Sequence, residues 1–156
     1  MRVETRFTGF RNRAAAGREL AKALARYRGK ANTVVVGLPR GGVITAATVA
    51  EELDLPLDVL VVGKLEAPES SELAIGVIGP GGVRIINEDL ISLCGVDPLE
   101  VGLIEERERA ELERRERLYR GDQPPFACAR KRVIVVDDGL ATASTMAAAI
   151  AILRRE

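Results

Sequence analysis

Histidine is absent from the 156-residue sequence. That absence removes histidine general bases, Ser-His-Asp and Cys-His nucleophile systems, and histidine metal sites. Tryptophan is also absent and aromatics make up 3%, so the core has to be built from Val, Ile, Leu and Ala. Only two cysteines are present, Cys94 and Cys128, too few for a disulfide framework. Both sit in mildly apolar settings and read as buried or half-buried thiols in a reducing compartment. No apolar run approaches the ~20 residues that span a bilayer, and no leader is visible at Met1–Glu4. Neither sign of charge is in excess, with 23 Lys plus Arg against 23 Asp plus Glu. A general nucleic-acid binder would carry a basic surplus. The expectation is a soluble cytoplasmic protein with no nucleic-acid or membrane partner.

What remains, 47% apolar and 29% charged, suits a single domain over residues 1–156. Residues 10–28 read as an amphipathic helix, with Phe10, Ala14, Gly17, Leu20, Ala21 and Leu24 recurring at threes and fours, and Gly29 placed to end it. Thr33-Val34-Val35-Val36 is a β-branched run apolar on both faces, the mark of a parallel strand covered by helices on two sides. A Gly37-Leu38-Pro39-Arg40-Gly41-Gly42 turn follows, then an Ala-rich helix over 43–53 and a second buried strand over 57–62. Residues 63–74 are polar, contain Pro68, and read as a long loop, which favours a functional role. Segments 74–78 and 83–86 flank Gly79-Pro80-Gly81-Gly82 as a β-hairpin. A charged helix runs over 98–120 with Asp97 as N-cap, laced with ion pairs, before Gly121 and Pro124-Pro125 break the chain. The last unit is a strand over 132–136, a polar loop, and a helix over 146–153. A chain ending after a helix predicts an open sheet edge, completed from elsewhere; a homodimer is the simplest source.

Two loops therefore follow the carboxyl ends of parallel strands, where open α/β sheets bind ligands. Asp137 and Asp138 end an apolar strand, where unpaired carboxylates are expensive to bury. They call for a cation, a sugar diol, or a nearby Arg or Lys. Thr142, Ser144 and Thr145 follow at a helix start, where free N–H groups, the positive helix end and hydroxyls make a phosphate cradle. Ordinary N-capping and strand ending would account for either feature alone. Together, within nine residues, they fit a sugar phosphate.

Val133 to Thr145, VIVVDDGLATAST, resembles the phosphoribosyl pyrophosphate (PRPP) signature of type I phosphoribosyltransferases. The resemblance to a bacterial group in that family extends along nearly the whole chain. It takes in Phe10, Arg13, Ala16 and Gly17, then GLPRGGV at 37–43, KLEAPESSELAIG at 64–76, and the charged helix. The fold it implies is α/β and type I phosphoribosyltransferase-like, a mostly parallel sheet flanked by helices with a flap hairpin. The activity it implies is transfer of the 5-phosphoribosyl group of PRPP to a nitrogenous base or similar acceptor, with release of pyrophosphate, which places the chain in nucleotide metabolism.

The same resemblance assigns residues. Asp137 and Asp138 would bind the ribose 2- and 3-hydroxyls. Gly139, Leu140, Ala141, Thr142, Ala143, Ser144 and Thr145 would hold the 5-phosphate. Leu38, Pro39, Arg40, Gly41 and Gly42 would meet the pyrophosphate. Segment 64–74 would be a mobile flap, with Lys64 a pyrophosphate contact and, with Arg40, a catalytic cation. Magnesium would bridge substrate oxygens, either through PRPP alone or with Asp137 and Asp138. No general base is assigned, since Ala141 stands where some relatives carry Asp.

The sequence also departs from the family pattern. Ala143 replaces a usual Gly, at a cost of about 1 kcal/mol or more if φ is positive there. Gly63-Lys64-Leu65-Glu66 replaces Arg-Lys-Leu-Gly, and the chain is C-terminally short for the group. The alternatives are a non-catalytic PRPP- or nucleotide-binding module, a shortened inactive paralogue, and a purely structural domain.

Overall fold

The computed structural model describes residues 9–124, 126–140 and 143–155, without the side chains of Ser71 and Glu72. The readings made at Met1–Glu4, Pro125, Ala141 and Thr142 lie outside the described residues. Three parallel strands form the first sheet: β1 (Thr33–Gly37) at the centre, β2 (Leu57–Val59) on one side and β6 (Arg132–Val136) on the other. Every β1 residue is buried, as the unbroken apolar run requires of a strand covered on both faces. One face packs on α1 (Arg13–Ala23) and α2 (Gly41–Leu53), through Val35 against Ala21, Ala46, Val49 and Leu53. The other packs on α5 (Ser144–Leu153), through Val34, Val36 and Leu38 against Ala148, Ala149 and Ile152. The fold is thus the α/β arrangement expected. Gly37 pairs with Val136, so β1 and β6 end level and their loops open at one edge.

A second, antiparallel sheet joins β3 (Gly63–Ala67), β4 (Ser70–Ile78) and β5 (Arg84–Ile86). The β4–β5 pairing is the expected hairpin. The 63–74 segment, however, is not a loop. Gly63, Leu65 and Ala67 are buried while Lys64 and Glu66 are not, a period-two pattern that the polar average of the segment conceals. Leu65, Ile75 and Ile78 form a separate core with Val96 and with Val101, Ile104 and Leu112 of α4 (Pro98–Arg120). The predicted flap is therefore a hairpin clamped to a helix.

Smaller differences have local causes. Asn12 accepts from Ala15 N–H at 2.8 Å, so α1 starts at Arg13 rather than residue 10; it ends before a 3₁₀ turn, Ala25–Tyr27. Strand β2 stops at Val59, and Leu60, Val61 and Val62 are buried without pairing in it. A short helix, α3 (Glu88–Cys94), was not anticipated, although Asn87 caps it, Glu88 and Asp89 fill its first turn and Gly95 (φ 64°) closes it. It leaves Cys94 exposed, contrary to expectation; Cys128 is buried. Helix α4 spans the predicted residues, and Asp97 accepts from Leu99 N–H at 2.8 Å. Its buried stripe is Val101, Ile104 and Leu112, whereas Leu99 and Leu103 are 82% and 68% exposed. No described helix is long and apolar enough to cross a membrane.

The seam between α1 and α2 depends on Gly17. A Cβ there would stand 2.6 Å from Thr48 Cβ and 2.8 Å from Thr45 O, and the latter is helix backbone that cannot step aside. Gly17→Ala is expected to destabilise the fold by about 1–2 kcal/mol, overpacking outweighing the gain in helix propensity. A melting temperature several degrees lower checks this; an unchanged or higher one contradicts it.

Candidate functional site

The 38–41 turn and the segment beginning at Asp137 meet at the carboxyl edge of the parallel sheet. Leu38 N–H donates to Val136 O at 3.0 Å, tying the first loop to the end of β6. The Pro39–Arg40 peptide is cis. Gly42 faces the backbone of Asp137, where a Cβ would stand 2.8 Å from Asp137 Cα. At Gly41 a Cβ would collide with the Asp138 carboxylate. The predicted residues Pro39–Gly42 and Asp137–Asp138 are therefore in contact, and the contact needs glycine. Arg40 is exposed beside them.

The two carboxylates differ. Asp138 Oδ2 accepts from Arg13 Nε at 2.9 Å and Nη2 at 2.6 Å. That guanidinium holds the Asp138 carboxyl below its ordinary range. Asp137 is half-buried at the strand end, and its Oδ1 accepts from Asp138 N–H at 2.8 Å. Burial outweighs that bond and pushes the Asp137 carboxyl up. Arg13 entered the sequence reading as part of the amino-terminal segment that carries the resemblance, with no partner assigned. Its partner lies 125 residues away, and nothing local in the sequence signals it.

Asn12, Asn87 and Asp97 cap α1, α3 and α4 with side-chain oxygens. The first residues of α2 and α5 have no side-chain cap among the described residues. Uncapped N–H groups at the positive end of a helix favour anions. Lys64 Nζ donates to Ser144 Oγ at 2.7 Å, so the β3–β4 hairpin brings a cation to the start of α5. The structure thus joins Lys64 to the second loop, the expected phosphate site. Gly139 and Leu140 are exposed, and Thr145 lies in the first turn of α5. Ala143 has φ 57°, the positive value under which its methyl is a cost.

A cleft of about 480 Å³ adjoins the acid pair, lined by α1 residues, Thr45 and segment 137–140. Phe10, Asn12, Leu20 and Thr45, all in its lining, were assigned no part in a site from sequence; Phe10 and Leu20 had been placed on the apolar face of the first helix and are 49% and 38% exposed. Among the described residues no cluster of three or more His, Cys, Asp or Glu is grouped for a metal ion. A divalent cation here would take substrate oxygens for most of its ligands, as magnesium commonly does, with Asp137 and Asp138 as the protein carboxylates in reach of the same mouth.

The phosphoribosyl transferase domain model matches residues 7–156. Proteins from two strains of Mycobacterium tuberculosis, CDC 1551 and H37Rv, carry phosphoribosyl transferase as a provisional name; each is 43% identical over 145 residues, covering 93% of this chain and 32% of its own length. The chain thus spans about a third of the length of these curated relatives. The crystal structure of TT1426 from Thermus thermophilus matches with a TM-score of 0.75 and 39% identity, covering 94% of this chain and 69% of that one.

Two measurements test the local geometry. Ala143→Gly is expected to raise stability by about 0.5–1 kcal/mol, relief of the left-handed strain exceeding the entropy cost of glycine; a lower melting temperature contradicts this. Carboxyl NMR titration is expected to place Asp138 below and Asp137 above the ordinary aspartate value. By linkage, Asp138 stabilises the fold above its unfolded value and loses that contribution as pH falls through its depressed one. Asp137 has the opposite sign, its ionisation opposing folding as pH rises. Arg13→Met moves the Asp138 titration upward; a titration that ignores the substitution contradicts the assignment.

Proposed function

The chain belongs to the phosphoribosyl transferase domain family, and from that premise we propose that it transfers the 5-phosphoribosyl group of PRPP to a nitrogenous base or similar acceptor. The observation that carries this reading is one sheet edge holding a carboxylate pair between two helix starts that have no side-chain cap among the described residues. Asp137 and Asp138 accept from the ribose 2- and 3-hydroxyls. The loop from Gly139 to Thr145 and the start of α5 hold the 5-phosphate, with the Lys64 charge at Ser144 on its rim. Pro39, Arg40, Gly41 and Gly42 receive the pyrophosphate on backbone N–H groups and one guanidinium.

In the reaction the bond from C1 to pyrophosphate oxygen breaks and its electron pair leaves on pyrophosphate. A ring nitrogen of the acceptor forms the new bond to C1 and loses its proton to water. Positive charge grows on the sugar and negative charge on the leaving group. Arg40 and the α2 N–H groups stabilise the latter, and the acid pair fixes the ring so that C1 is presented in one geometry. Magnesium, when bound, would neutralise part of the pyrophosphate charge. The hairpin brings Lys64 to Ser144, and its closing over the reacting centre would exclude water. A role for Lys64 at the pyrophosphate requires it to leave Ser144.

Calorimetric titration of PRPP with magnesium is expected to show binding, and a panel of bases to yield pyrophosphate release. Asp138→Asn is expected to weaken PRPP binding about ten- to a hundredfold, the scale of a lost charge-assisted hydrogen bond. Its stability changes by under about 1 kcal/mol, since the Arg13–Asp138 pair is exposed. No binding at millimolar PRPP, or a large loss of stability in the variant, contradicts the proposal. Binding without turnover on any base selects the non-catalytic module.

A further inference from the structure

Helix α4 buries one side against the β3–β4 hairpin and exposes the other. At 3.6 residues per turn, Leu103, Ala110 and Arg117 stand in one line along the outer side, with Leu99 close to it. All four are exposed, as are the residues that flank them. The flanks differ in sign. Glu106 and Glu113 stand on one side of the line, Arg107 and Arg114 on the other. Each type recurs after seven positions, so an acidic edge and a basic edge run along the helix together. Ion pairs within the helix do not use up this pattern. Glu106, Glu113 and Arg117 form no ion pair among the described residues, while Arg107 meets Glu108 at 3.4 Å and Arg114 meets Glu111 at 2.7 Å on the exposed surface, where such pairs contribute little.

The signs decide what can cover this face, and in which direction. A second copy of α4 lying parallel to the first, about a two-fold axis along the helices, sets the acidic edge of each against the basic edge of the other. Glu106 then faces Arg107 of the second copy and Glu113 faces Arg114, and symmetry makes each contact twice. An antiparallel copy brings like edges together, Glu106 against Glu113 and Arg107 against Arg114, which is repulsive. Along the parallel seam Leu99 and Leu103 meet their own counterparts and leave water, and the small Ala110 lets the helix axes approach.

We infer that the outer face of α4 is a pairing surface for a second copy of this chain, with the two helices parallel. The pairing is independent of the phosphoribosyl reading and uses none of the residues assigned to the sugar phosphate. Its apolar layers are few, so the dimer is weak, with a dissociation constant of about 10–100 μM.

Sedimentation equilibrium of the full 156-residue chain, over concentrations spanning that range, is the test. A monomer–dimer equilibrium is expected, weakening as salt rises. Glu106→Arg with Glu113→Arg makes both edges basic and is expected to weaken association about tenfold or more. Adding Arg107→Glu and Arg114→Glu reverses both edges and is expected to restore it, a rescue that a purely structural role would not produce. Melting temperatures of dilute samples confirm that each variant folds. In a Cys94→Ser background, which removes the exposed thiol, Leu103→Cys is expected to give a disulfide-linked dimer on mild oxidation, because parallel pairing sets position 103 beside its own counterpart. A chain that stays monomeric up to about 1 mM overturns the inference. So does an association that ignores the first pair of substitutions, or one that the edge reversal fails to restore. Cross-linking of Leu103→Cys only to Arg117→Cys, in a mixture of the two, marks an antiparallel pair and overturns it as well.

Discussion

The start of α2 lies against the end of β6, and its first two residues are glycines that leave room for that approach. A Cβ at Gly41 runs into the Asp138 carboxylate, and one at Gly42 runs into the Asp137 backbone. Because β1 and β6 end in register at Gly37 and Val136, this approach puts the N–H groups of one helix and the carboxylates of the next strand into one mouth. A methyl at Gly42 would push α2 outward, and one at Gly41 would displace the Asp138 carboxylate from its place beside Arg13. The first loop would then separate from the acid pair, and two binding elements would become two unrelated surface features. The remaining architecture holds this contact: the buried β1, the α1–α2 seam at Gly17, and the packing of α5 on the opposite face.

The electrostatics of the mouth follow from placement. Two adjacent aspartates of the same intrinsic acidity end up unlike because one meets Arg13 and the other is half-buried. The starts of α1, α3 and α4 are capped by Asn or Asp side chains, whereas the starts of α2 and α5 have no side-chain cap among the described residues. An arrangement of this kind suits the proposed ligand, one with hydroxyls and anionic ends. Lys64 adds a charge that arrives on a separate hairpin with a core of its own. Its position relative to α5 is set both by the packing of α4 on the hairpin and by Val77, Val83 and Gly79, which pack on the Ile152 side of α5.

Much of this was legible in the sequence because the decisive signals are local. The run Val133–Val136, the two aspartates and the small polar loop are contiguous, and the strand, the acid pair and the start of α5 fall where those residues indicate. Asp97-Pro98 and Gly121 bound α4 for the same reason. Non-local effects were not legible. The 63–74 segment has the polar composition of a loop, and only the buried alternation of Gly63, Leu65 and Ala67 against α4 reveals a strand. Arg13 carries no mark of its ion pair with Asp138, and Phe10 and Leu20 none of the cleft they line. Those relations arise when α1 docks on α2 and brings its first turn over the end of β6. The exposed Cys94 belongs with them, since it depends on where a short capped helix comes to rest.

The central claim is that one mouth grips a phosphorylated pentose by its diol and its phosphate together. A crystal of this chain soaked with ribose 5-phosphate tests it most directly. The account predicts the two ring hydroxyls on the Asp137 and Asp138 carboxylates and the phosphate against the first N–H groups of α5. A mouth left empty, or closed by its own side chains with the sugar phosphate bound elsewhere, would contradict it.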